Sequence, residues 1–154
     1  MQGLFKKGTQ LFLGLTLGAF YPLIFQALAQ QTESLIYEIG AQFQLEGHII
    51  STEVHGNGNV NDTFLLFCED EDSLNRYTLQ RINHEVFKDP EGLMNNFSRV
   101  TRHLQAKIEE ERSSKECLRV VSARDGRAFH RDSDGNFWRV TRFVDGGRSY
   151  DVPE

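Results

Sequence analysis

Gly56-Asn57-Gly58-Asn59-Val60-Asn61-Asp62-Thr63-Phe64 is the stretch on which the fold turns. Two glycines separated by one residue reach backbone conformations closed to other residues, and their amides can approach a ligand with no side chain in between. Such a turn can cradle phosphate oxygens. Gly and Asn also fill ordinary hairpin turns, so the surroundings must decide. Residues 49–55 and 63–69 on either side are rich in β-formers, and a third extended run, 76–82, follows an acidic loop. The pattern predicts a three-stranded antiparallel meander with the glycine turn between its first two strands.

Downstream, Asp89-Pro90-Glu91 marks a helix start. Asp accepts orphan amide hydrogens, Pro fits the first turn, and Glu suits the positive end of the helix dipole. Leu93, Met94, Phe97, Val100, Thr101 and Leu104 then recur at helical spacing to about Ile108. Three more strands follow at 118–122, 128–131 and 136–144, punctuated by the turn pairs Asp125-Gly126 and Asp134-Gly135. Upstream, Leu35, Ile36, Ile39 and Phe43 share a helical face over 34–43, with Thr32 or Ser34 as the cap and Gly47 as the end. The expected fold is α+β, a sheet of about five antiparallel strands with one crossing helix, preceded by a leading helix and a hydrophobic N-terminal segment.

That segment, residues 1–30, differs in kind from the rest. No charge occurs over 8–32, and 11–25 is almost wholly apolar, with Lys6 and Lys7 before it and Ala27-Leu28-Ala29 behind. The order matches a secretory signal cleaved after Ala29. Its uncharged length also approaches the roughly 20 residues of a membrane anchor, although Gly14, Gly18 and Pro22 weigh against a spanning helix. The third reading is a start codon set too far upstream.

Composition removes several function classes. A formal charge of -5, with Lys and Arg scattered among acids, offers no basic field for nucleic acid. Two cysteines, Cys68 and Cys117, permit one disulfide at most and favour free thiols. His84 and His103 lack a second ligand at metal spacing, and Glu69-Asp70-Glu71-Asp72 lacks the calcium-loop pattern, so no metal site is assigned. Trp138 reads as a packing residue.

A glycine turn inside a meander whose third strand leads into a helix has the layout of a kinase glycine-rich loop, not of a strand-to-helix phosphate loop. Three further blocks extend the likeness: Tyr77-Thr78-Leu79-Gln80-Arg81-Ile82-Asn83, Val86-Phe87-Lys88-Asp89-Pro90, and Phe137-Trp138-Arg139-Val140 before Phe143-Val144 and Tyr150-Asp151. Together, over about 35–154, they resemble the start of the aminoglycoside phosphotransferase superfamily and are most similar to its N-acetylhexosamine 1-kinase branch. Homoserine and choline kinases are more distant relatives.

The resemblance implies that 33–154 form a protein-kinase-like N-terminal lobe that covers ATP. A larger helical lobe beyond Glu154 would hold the catalytic aspartate and the Mg2+ ligands, so no catalytic or metal-binding residue is assigned here and the chain alone should be inactive. Gly56, Asn57, Gly58, Asn59, Asn61 and Thr63 would cover the phosphates. Residues 139–144 would approach the hinge that meets adenine, with Arg142, Phe143 and Val144 nearest.

The pattern departs from many relatives at the third strand, where a lysine usually holds the phosphates and pairs with a helix glutamate. Gln80 and Arg81 stand there instead, and Asn95, Asn96 and Arg99 occupy the middle of the helix. The sugar-kinase branch is similar in its Gln-containing strand, and Arg81 is the candidate cation. The implied partner is a small sugar whose hydroxyl accepts phosphate, and the implied location is cytoplasmic. Residues 1–30 instead suggest export or a membrane anchor. The rival class is a noncatalytic binding module or a degenerate remnant.

Overall fold

A computed structural model of the chain describes residues 8–56, 60–112 and 115–146, with side chains from residue 22 onward. The chain divides into two compact units, Met1–Leu35 and Ile36–Glu154. The described part of the first is helical and belongs to α1, Gly8–Gly40. Leu23, Ile24, Phe25 and Leu28 are exposed on it. The expected helix start at Thr32 or Ser34 is corrected: both lie inside α1, and the Thr32 hydroxyl donates back to the Leu28 carbonyl at 3.0 Å instead of capping. Among the described residues, no helix is long and apolar enough to cross a membrane.

The second unit is an α+β domain built on one antiparallel sheet. Its strands are β1 His48–Val54, β2 Asp62–Asp70, β3 Ser73–Ile82, β4 Val120–Val121, β5 His130–Arg131 and β6 Phe137–Arg142, with α2, Pro90–Glu110, between β3 and β4. The order across the sheet is β1-β2-β3-β6-β4, with β5 also pairing with β6. The meander 49–55, 63–69, 76–82 thus forms as the alternation predicts. β4 and β5 shrink to two residues each because they pair only with short stretches of β6.

Alternation sends side chains to two faces. Leu66, Cys68, Tyr77, Leu79, Trp138 and Val140 pack with Ile36, Ile39, Phe43 and Ala123 on one of them. On the other, Met94, Leu93 and Phe97 of α2 pack with Ile82, Phe87, Phe129 and Phe137. α2 begins as expected, since Asp89 Oδ1 accepts the Gly92 amide at 2.9 Å and Pro90 occupies the first turn. Both Asp-Gly pairs make turns, with Gly126 (φ 84°) and Gly135 (φ 85°) as the left-handed residues, but only Asp134-Gly135 joins two paired strands, because β4 and β5 each pair with β6 and not with each other. Gly47 has another role than ending the helix. α1 stops at Gly40, and Gly47 (φ 86°) lies against the backbone of Glu69 at the start of β1.

Both cysteines are free thiols, Cys68 buried and Cys117 partly exposed. Burial pushes the Cys68 thiol up from 9.0 to about 11. Ellman's reagent at pH 8 should therefore titrate only Cys117 in the folded chain and both thiols after denaturation. Because the shift is upward, the stability linked to Cys68 is fully present below pH 9.0 and is lost as pH rises through about 11.

Candidate functional site

The glycine turn is closed at its base by the His55 amide, which donates to the Thr63 carbonyl at 2.8 Å. Gly56 has φ 76°, and a Cβ placed there would meet nothing within 4 Å, so its glycine answers to backbone conformation and not to crowding. Asn61 Oδ1 accepts the Asn83 amide at 3.0 Å and pins the end of the turn to the exit of β3. Beside it opens a hollow of about 360 Å³ lined by Val60, Asp62, Arg81, Asn83, His84 and Asn136. Asn57, Gly58 and Asn59 lie outside the described residues.

Register separates the other candidates. Thr63 pairs with Gln80, and Gln80 with Arg139, so the three form one row across β2, β3 and β6. Their side chains are linked in series. Gln80 Nε2 donates to Thr63 Oγ1 at 3.0 Å, while Arg139 Nε and Nη2 donate to Gln80 Oε1 at 3.0 and 2.8 Å. The Arg139 guanidinium lies 4.5 Å from the centre of the Phe97 ring, which puts the row on the face that α2 packs against. Burial of the side chain lowers the Arg139 pKa from its ordinary value.

Arg81 and Arg142 project from the opposite face. Arg81 Nε donates to Asp62 Oδ2 at 2.7 Å, and its Nη2 forms an ion pair with the same carboxylate. Its guanidinium also stands 6.0 Å from the Trp138 ring centre. Arg142 pairs with Glu46 beside the Tyr77 ring; the Glu46 hydrogen bond raises the Arg142 pKa, against the smaller lowering effect of burial. The structure therefore groups Thr63 with Gln80 and Arg139, and not with Arg81.

Phe143 follows β6 and donates its amide to the Arg76 carbonyl at 3.0 Å. Its ring meets the His55 ring edge-on, centroids 6.1 Å apart at 81°, and Arg76 caps it at 4.9 Å. This contact brings the entry of the glycine turn to the segment that leaves β6. Val144, next in the chain, is half-buried. Phe143 lies four positions along the chain from Arg139, about 13 Å at roughly 3.3 Å per residue.

No protein-family model matches the chain. Among the described residues, no group of three or more His, Cys, Asp or Glu side chains is placed to hold a metal ion. A larger hollow of about 680 Å³ opens between α2 and the β4–β5 loop, where Arg99, Arg102 and Arg127 line it, and it includes no residue of the Thr63–Gln80–Arg139 row.

Arg139 was legible only as part of the hinge approach, not as a cation on the α2 face. Alternation along Phe137-Trp138-Arg139-Val140 is enough to put Arg139 opposite Trp138 and Val140. Its bond to Gln80 depends on the β3–β6 register, which no local pattern carries.

Proposed function

We propose that the chain is the ATP-binding N-terminal lobe of a small-molecule phosphotransferase, a sugar or amino-sugar 1-kinase by resemblance. The observation that carries this reading is the row Thr63–Gln80–Arg139, which starts at the residue after the glycine turn and crosses the face shared with α2. The order of elements supports it: a meander with the glycine turn at its first bend, a helix after the third strand, and a return to a strand beside that third strand.

In this reading the phosphates lie under the turn and the base reaches the segment after β6. Phosphoryl transfer itself needs a metal to bridge phosphates and a carboxylate to orient the acceptor hydroxyl. The resemblance assigns both to a helical lobe, so the part of this chain is to bind and orient the nucleotide. A cytoplasmic location belongs to the same proposal.

Thermal melting of the full chain tests it. ATP at about 100 times its Kd adds about 2.7 kcal/mol of stability, so the midpoint should rise by several degrees. Replacing Gly56 and Gly58 together by Val should abolish the rise. A wild-type midpoint indifferent to ATP would favour the noncatalytic binding module.

A further inference from the structure

We propose that Arg139 is the phosphate-binding cation of this face and that Gln80 positions it; the proposal rests on the nucleotide reading above. An arginine carries five N–H donors in a planar fork. Nε and one N–H of Nη2 are taken by Gln80 Oε1, and Nη1 stands 4.0 Å from the Met94 sulfur, a weak acceptor. Five donors less these three leave two with no acceptor among the described residues. Gln80 cannot turn its amide freely, because its Nε2 is committed to Thr63 Oγ1. The amide oxygen is thereby held toward Arg139.

The other arginines of the two strands make the contrast. Arg76 pairs with Asp145, Arg81 with Asp62 and Arg142 with Glu46. Among the described residues Arg139 has no carboxylate partner, and with no acid beside it burial lowers its pKa on balance, whereas Glu46 outweighs burial at Arg142. Arg139 is half-buried, and a partly desolvated cation without a counter-charge is a costly way to fasten a helix. α2 is already fastened by Met94, Leu93 and Phe97 against Ile82, Phe129 and Phe137. A polyphosphate oxygen would supply the missing charge and take the two free donors, the bidentate geometry for which a guanidinium is suited. The strand lysine that this chain lacks is thus replaced from the neighbouring strand, one row position across.

Isothermal titration calorimetry on the full chain at low salt, with ATP, adenosine and tripolyphosphate as separate probes, tests the assignment. Arg139→Met should weaken ATP and tripolyphosphate about ten- to hundred-fold, the scale of a lost charged hydrogen bond, and leave adenosine unchanged. Arg139→Lys, which keeps the charge and loses the fork, should fall between, as should Gln80→Leu. If Arg139→Met unfolds, the lysine variant alone carries the comparison.

Loss of phosphate binding in Arg81→Met with none in Arg139→Met would overturn the assignment and leave the nucleotide reading standing, as would equal binding of ATP and adenosine by wild type and both Arg139 variants. Arg139-dependent binding of tripolyphosphate without binding of ATP would uphold the phosphate site and end the nucleotide reading. Binding of neither by wild type would overturn both.

Discussion

Gly47→Ala should destabilise the second unit by about 2 to 6 kcal/mol, the sum of left-handed strain and overpacking. Gly47 has φ 86°, and a Cβ there would come to 2.3 Å from the Glu69 carbonyl oxygen and 2.9 Å from the Asp70 amide nitrogen. Both neighbours are backbone, and Glu69 is paired with His48 at the first rung of the β1–β2 ladder. The clash can be relieved only by opening that rung. Gly56→Ala is the matched comparison, because its φ is also positive but nothing lies within 4 Å of the added carbon. Urea unfolding followed by circular dichroism should give Gly56→Ala the strain term alone, so the difference between the two variants measures the backbone contact.

Asp132→Ala should cost about 2 to 4 kcal/mol, because it removes a charge-assisted acceptor and leaves a buried donor unpaired. The Asp132 carboxylate accepts from Trp138 Nε1 at 2.7 Å, the Asn136 amide at 2.8 Å, Asn136 Nδ2 at 3.0 Å and the Asp134 amide at 3.0 Å. Trp138 is 2 % exposed, so its indole N–H has no water to turn to. Partial burial raises the carboxyl pKa, but these donors together outweigh it and hold Asp132 below the ordinary 3.8. The shift is downward, so its stabilisation is complete above about pH 4 and is lost as pH falls through the folded value. Melting curves of wild type and Asp132→Ala should therefore converge in acid. A pH-independent gap would mean that the Trp138 contact does not depend on the charge.

Both sites lie where sequence reading stopped. The Asp89 cap, the Asp-Gly turns and the three-strand meander were legible because each depends on residues within a few positions of one another. Asp132 was not, since its role as acceptor for Trp138 needs the β5–β6 hairpin to be closed first. Gly47 resembled a helix end by its place after an apolar periodic run, while its real constraint comes from Glu69, on another strand. α1 ran past its expected start because Thr32 can bond inside a helix as readily as cap one.

The candidate site divides in the same way. Thr63 and the glycine turn could be named from local pattern, and the structure sets Thr63 in a row with two further polar side chains. On the third strand the sequence offers Arg81 as the candidate cation. One position along a strand reverses the face, and Arg81 is engaged with Asp62 on the side away from α2. Gln80 and Arg139 lie 59 residues apart and meet only through the pairing of β3 with β6.

The measurement closest to the central claim is a titration of the 15N-labelled full chain with ATP, followed by amide resonances. The nucleotide reading predicts shifts at Gly56, Thr63, Gln80, Arg139 and Phe143, tracing a path from the glycine turn to the segment after β6, with Gly126 and Arg102 unmoved. A spectrum unchanged at saturating ATP, or shifts confined to the hollow between α2 and the β4–β5 loop, would contradict it.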